Sequence, residues 1–405
     1  MVPYADFLYF GILSCLGLVN LVPGLTGRFR RPWLLVATAI MLCIQYSAKV
    51  AVAPKIPVRE IWLVLGYAAY EWLVAFVFLL LTRPLGSPED RRLSRARNAW
   101  AAYPAVLLAL FPLVATKAAP VLAPNYVIGF VGISYLTFRS VDVVFSVNDH
   151  LVSSLPPIQY LAYLLFFPAI SSGPIDRYRR FLRDYGRART RGEFLDDLDG
   201  AINRISTGFL YKFILARLVE TYWMSRVAKC SGLGQTVSYM YAYSLYLFFD
   251  FAGYSAFAIG IGYFFGIHMP ENFDRPFLAT NIREFWNRWH ISLSSWLRDH
   301  VYMRFVMAAT KRRWFTTKYT ASYIGFFLSM GLMGLWHGTQ WNYIAYGLYH
   351  AVLLVTLDIL ARWNKKRGLW GNSAVFKAAG IFITVNLVCF GLLIFSGGLN
   401  HFLGL

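Results

Sequence analysis

The chain has 405 residues, of which 58% are hydrophobic, 18% aromatic and only 15% charged, with a formal net charge of +19. A soluble domain carries about 25% charged residues, so the composition excludes an ordinary water-soluble globule and indicates an all-α polytopic membrane protein. The basic excess is read first as topology, because Arg- and Lys-rich loops stay cytoplasmic. It also suits anionic lipid headgroups or an acidic soluble partner, and nucleic acid is not expected.

A spanning helix needs about 20 apolar residues. Such runs fall near 3–22, 32–52, 58–81, 99–116, 125–146, 155–171, 203–223, 235–267, 320–336, 341–360 and 374–396. They predict about 11 transmembrane helices in a single membrane-embedded domain, 1–405. No basic leader or cleavage site precedes the first run, which therefore reads as a retained helix. Placing "GRFRRP" (27–32) at the cytoplasmic face puts the N-terminus outside, and "RRLSRAR" (91–97) then also falls inside. Three further runs precede the charged segment 176–199 and break that parity. Either one of them is re-entrant, the preferred reading because irregular segments at membrane depth line cavities, or Asp184, Asp196, Asp197 and Asp199 hold the segment against the rule. The run 235–267 exceeds one straight span and contains Asp250, so a break is expected near "FDFAGYS" (249–255).

Ionisable residues inside the apolar runs are Glu60, Glu71, Arg139, Asp142, Asp250, His350 and Asp358, expected to face a bundle interior. Arg139 and Asp142, three apart, are placed to pair on a helix. Cys15, Cys43, Cys230 and Cys389 are scattered, which supports neither a disulfide framework nor a zinc site. G-x-S-x-G, H-E-x-x-H and P-loop motifs are absent. "GIGYFFG" (260–266) lies in an apolar run with the wrong spacing for a dinucleotide fingerprint and reads as helix packing.

One stretch departs from this pattern: "EFWNRWHISLSSWLRDHVYMR" (284–304). On one continuous helix, Trp286, Trp289, His290, Leu293, Trp296 and Leu297 share a face. Glu284, Asn287, Arg288, Ser294, Ser295, Arg298 and Asp299 take the other, as in a helix at the interface or in a wet bundle. His290 is then either a packed, satisfied imidazole or part of a site. The second histidine of interest, His337, lies in "SMGLMGLWHGTQWNYIAYGLYH" (329–350) beside Trp336 and between Gly334 and Gly338. Glycines on both sides let a backbone or thin substrate approach the ring. At a helix end, the imidazole can serve as general base on a hydroxyl or simply as a polar cap. The histidines are widely spaced and no cysteine is near either one, so no metal is expected.

"PENFDRPFLATNIREFWNRWHISLSSWLRDHVYMR" (270–304), followed by "LMGLWHG" (332–338), resembles the membrane-bound O-acyltransferase family. The first motif is similar to the alginate-acetylating branch. The chain length and "FFPAISSGPIDRYRRF" (166–181) are similar to the teichoic-acid D-alanyl transferase branch. The likeness covers roughly 125–360. It implies a ring of membrane helices, with re-entrant and amphipathic helices around a central tunnel. His337 would be catalytic, with His290 as the second family histidine, and Trp286, Asn287, Trp289 and Trp336 would line the tunnel. It further implies a D-alanyl transferase of the cell (cytoplasmic) membrane that binds no cofactor of its own. The donor would be a thioester on the 4'-phosphopantetheine of an acidic D-alanyl carrier protein. The acceptor would be a hydroxyl on teichoic or lipoteichoic acid, or on a membrane intermediate. Acetyl transfer to an exported polysaccharide is the alternative, whereas a transporter would show internal repeats that are not found. Met303, Val306 and Met307 share one helical face. Followed by Lys311, Arg312, Arg313 and Lys318, they suit carrier docking or a lipid-interface anchor.

Overall fold

The computed structural model describes residues 3–5, 7–53, 56–82, 88–122, 129–227, 232–371 and 373–399. α1 (Phe7–Thr26) is uncharged and rich in Leu, Phe and Val; the chain turns at Gly27 into α2 (Arg30–Gln45). β1 (Lys49–Ala53) and β2 (Ile56–Arg59) form a short antiparallel hairpin with Lys49 opposite Arg59, and α3 (Glu60–Thr82) follows directly. α4 (Pro88–Leu122) is polar at its start and apolar over Ala101–Ala119. After it come α5 (Ile133–Asn148), α6 (Pro157–Leu164), a 3-10 turn Phe167–Ala169, α7 (Tyr178–Gly186) and α8 (Arg191–Phe209). Two π turns, Leu210–Leu215 and Val219–Met224, carry α8 onward through the short α9 (Ala216–Leu218) and α10 (Ser225–Val227). α11 (Leu233–Phe264), α12 (Ile282–Trp286), α13 (Ile291–Leu297), a π turn Arg298–Tyr302, α14 (Met303–Lys311), α15 (Lys318–His337), α16 (Trp341–Arg367) and α17 (Ala374–Phe395) complete the order.

Among the described residues, six helices are long and apolar enough to cross a bilayer: α1, α3, the 101–119 part of α4, α11, α16 and α17. The remaining predicted runs are largely helical, but shorter or more polar. The run at 32–52 leaves α2 after Gln45 and ends in β1, and residues 125–128 of the run at 125–146 lie outside the described residues. The run predicted at 155–171 is the eight-residue α6 and its 3-10 turn. At 1.5 Å per residue, α6 covers about 12 Å, far short of a hydrocarbon core of about 30 Å.

The contacts divide the chain into two compact units, one of residues 1–205 and 256–269, the other of 206–255 and 270–405. In the first, Tyr160, Tyr163, Phe166, Phe167 and Phe181 are buried around Arg139, which is itself 1% exposed. The expected Arg139–Asp142 pair does not form. Arg139 donates to the carbonyls of Tyr163, Leu164 and Ala169 at 3.3, 3.2 and 3.0 Å, while Asp142 pairs with Arg177 at 2.6 Å. The reason is that α6 and the turn after it end with carbonyls lacking intrahelical donors, and a buried guanidinium requires such acceptors.

In the second unit the expected break at "FDFAGYS" is absent, since α11 runs unbroken for 32 residues. Asp250 is paired with Lys212. Gly253 lies against the Lys212 backbone and the Gly208 carbonyl, so there the glycine admits a close neighbour rather than a kink. α15 and α16 form a hairpin packed backbone to backbone. A Cβ on Gly334 would strike the Tyr343 carbonyl, and one on Gly347 the Met330 carbonyl.

Candidate active site

The stretch 284–304 is not the single amphipathic helix expected. α12 stops at Trp286, and His290 takes the left-handed conformation (φ 45°, ψ 50°) before α13 begins. A short ladder holds it there: Asp274 N–H donates to Arg288 O and Ile291 N–H to Asn272 O, each at 3.0 Å, with a bridge between Phe273 and Trp289. Asn272, 0% exposed, accepts from the Ser292 hydroxyl at 2.6 Å and the Ser292 amide at 3.3 Å, and donates to Ser255 at 3.1 Å. Those bonds satisfy the first turn of α13 and pin His290. Left-handed backbone is uncommon outside glycine, though histidine is among the residues that enter it most readily.

Held this way, the His290 ring meets Phe251 edge-on at 4.7 Å and Trp336 at 6.0 Å between centroids. Its Nε2 is buried without a protein partner. Trp336 lies 4.5 Å from His337, so one indole stands beside both predicted histidines. His337 is half-buried at the last turn of α15. Phe395 and Tyr346 lie edge-on to it at 4.8 and 6.4 Å, and Tyr343 is stacked on it at 6.2 Å. Asn342 donates to the Phe395 carbonyl at 2.8 Å and so ties the end of α17 to α16 beside this ring.

Trp286 belongs to the same nest. It is 6% exposed, meets His350 edge-on at 5.0 Å and Tyr346 at 6.5 Å, and buries an indole N–H without a protein acceptor. Trp289 does not join it, packing instead on Phe273 at 5.1 Å and Phe285 at 5.5 Å. Asn287 ends α12 and is exposed. Sequence reasoning did not pick out Asn272, Tyr346 or Phe395. Asn272 was visible inside "PENFDRP", Tyr346 and His350 share a helical face by their spacing, and nothing in the sequence announced Phe395.

On α14, Met303 and Met307 are 42% and 64% exposed. Val306 is half-buried and turned toward Gly325 of α15. Lys311, Arg312 and Arg313 are exposed; Lys318 opens α15, and its side chain lies outside the described set. Among the described residues no group of three or more His, Cys, Asp or Glu is placed to hold a metal.

A half-buried imidazole at a helix end, walled by rings, can accept a proton from an incoming hydroxyl while water is held back. The buried Trp286 indole N–H and the ring nitrogens of His290 and His350 offer polar contacts among the aromatic rings. The profile of the membrane-bound O-acyltransferase family matches residues 96–394. The chain is 40% identical over 415 residues to a teichoic acid D-alanyltransferase of Bacillus subtilis (strain 168), covering 99% of each chain. It is 37% identical over 412 residues to the enzyme of that name from Lacticaseibacillus rhamnosus, covering 98% of each. It is also 31% identical over 277 residues to a probable alginate O-acetylase of Pseudomonas putida, covering 67% of this chain and 53% of that relative. With a family match over most of its length and six apolar helices, the chain belongs to the membrane-bound O-acyltransferase family and is a multi-pass membrane acyltransferase.

Proposed function

We propose that the chain moves D-alanyl groups from a 4'-phosphopantetheine thioester on an acidic carrier protein to an acceptor hydroxyl, ultimately on teichoic or lipoteichoic acid. The observation that carries this reading is His337, half-buried at the end of α15 with Trp336 and Phe395 against its ring and His290 beside the same indole. Near full-length likeness to proteins named teichoic acid D-alanyltransferase supports the acyl group. In the step, a ring nitrogen of His337 takes the proton of the acceptor O–H as oxygen bonds to the thioester carbonyl carbon. The carbon–sulfur bond then breaks, and the leaving thiolate recovers the proton from the imidazolium. His290 orients the reacting groups. The carrier docks on the exposed methionines of α14, with Lys311, Arg312 and Arg313 meeting its acidic surface. The cytoplasmic face is the one bearing "GRFRRP", which puts the N-terminus outside.

Loss of a positioned general base costs about 10²–10⁴-fold. His337→Ala is therefore expected to abolish D-alanine incorporation while the protein still inserts and binds carrier. Near-normal incorporation by that variant would refute the assignment. The likeness to alginate O-acetylases favours acetyl transfer to an exported polysaccharide as the second reading. Co-purification with an aminoacylated carrier supports the first reading, and acetyl-dependent polymer modification the second.

A further inference from the structure

A cavity of about 280 Å³ lies in the first unit, between the α1–α2 turn and the segment joining α7 to α8. Arg30, Arg31, Arg187 and Arg189 line it, together with Phe194 and Phe264. Among the described residues no carboxylate lines it. The nearby acids are already engaged, Asp197 and Glu193 with two of the cavity's own arginines. Asp184 accepts from Arg180 and the His268 amide, Asp197 from Arg189 and His268, and Glu193 from Arg187 and Thr190.

Part of this basic cluster has a structural task. Arg30 and Arg31 donate to the carbonyls of Asp184, Tyr185 and Gly186, capping the C-terminal end of α7. That task leaves guanidinium capacity over. Arg30 Nη1 and Arg189 Nε are buried without an acceptor, and the Arg189 side chain is only 5% exposed. Gly266 lies where a Cβ would press on both guanidiniums, so its lack of a side chain leaves room for the cluster. α2 adds to the field, since Phe29 supplies no side-chain cap and the first turn holds no acid. The positive end of the helix dipole is therefore uncompensated at Arg30. Burial, together with Arg189 and Arg31 nearby, brings Arg30 down to about 10. An anion seated among these groups would relieve that repulsion.

We propose that this cavity binds a phosphate group. Guanidinium forks match phosphate oxygens, and the aromatic wall suits the first carbons of an attached ligand. A lipid phosphate is the favoured source. Val22, Leu25 and Phe29, beside the cavity on α1 and its turn, are 66%, 39% and 78% exposed, a flank on which acyl chains can lie. The site is separate from acyl transfer and stands or falls without it.

The test uses delipidated full-length protein in detergent, with native mass spectrometry to compare phosphatidylglycerol with diacylglycerol of the same chains, which lacks the phosphate. Millimolar inorganic phosphate is added in a parallel arm. Phosphatidylglycerol is expected to be retained preferentially, and Arg30→Gln/Arg31→Gln to lose about fivefold in affinity per charge removed. Arg187→Gln, a change at an exposed side chain paired with Glu193, is expected to lose a similar factor. If inorganic phosphate displaces the lipid, the site takes free phosphate as well; if it does not, the lipid is the ligand. Equal retention of the two lipids with no response to phosphate overturns the proposal. So does an unchanged preference in the folded double variant or, should that variant not fold, in Arg187→Gln.

Discussion

His290 and His337 look alike in composition but differ in setting. His337 is half-buried at the end of a helix, where an incoming hydroxyl can reach it, whereas His290 is 3% exposed and fixed by the Asn272 ladder. On the proposed reading, proton transfer falls to the first and orientation to the second. His290→Gln is expected to lower D-alanine incorporation by less than about 10²-fold, below the loss for His337→Gln under the same conditions. Reversal of that order in a paired assay would exchange the roles. Both histidines were legible in the sequence because each stands among tryptophans in an otherwise apolar chain. The left-handed turn at His290 was not, since "NRWHISLSSW" has an unbroken helical periodicity and the turn depends on pairing with residues 272–274.

At the scale of elements, α12 survives at five residues because its first turn is capped. Asn281 accepts from the Glu284 amide at 3.0 Å, and Glu284 accepts from the Thr280 amide and hydroxyl at 2.8 and 2.7 Å. Replacing such a cap costs about 1 kcal/mol. Asn281→Ala should therefore lower the denaturation midpoint in detergent, with activity falling through the displaced Trp286. The Thr280 hydrogen bonds, with Arg288 alongside, hold the Glu284 carboxyl below the usual carboxylate range. Its contribution is complete above the unfolded value and fades as pH falls through the lowered one, so wild type and Glu284→Gln should converge in stability in acid. α14 makes a different prediction. Val306 is packed toward α15, so the cleaner charge insertion is Met307→Asp at the most exposed of the three patch residues. Carrier affinity should fall by at least tenfold, about 1.4 kcal/mol, with insertion unaffected. Wild-type affinity in that variant would place docking elsewhere.

Over the whole molecule, the +19 charge is expected to set how the proposed carrier arrives more than how tightly it stays. Because screening shortens the reach of charge to about 3 Å at 1 M salt from about 10 Å at 0.1 M, carrier association should slow steeply with salt. Dissociation should change little, and stopped-flow mixing at several ionic strengths separates the two. A salt-independent on-rate would remove the basic loops from the encounter. The sequence alone determined the membrane class and most of the helical runs, and it singled out both histidines, because apolar length and clustered aromatic and ionisable residues are local properties that no packing can hide. Tertiary structure decided the rest. Arg139 turned from its neighbour Asp142 to three carbonyls, Asp250 stayed inside an unbroken α11 because Lys212 met it, and His290 left its helix because Asn272 held it. Each outcome depends on a partner far along the chain, and burial makes that partner necessary: a charge or polar group removed from water must be satisfied by whichever group the fold brings within reach.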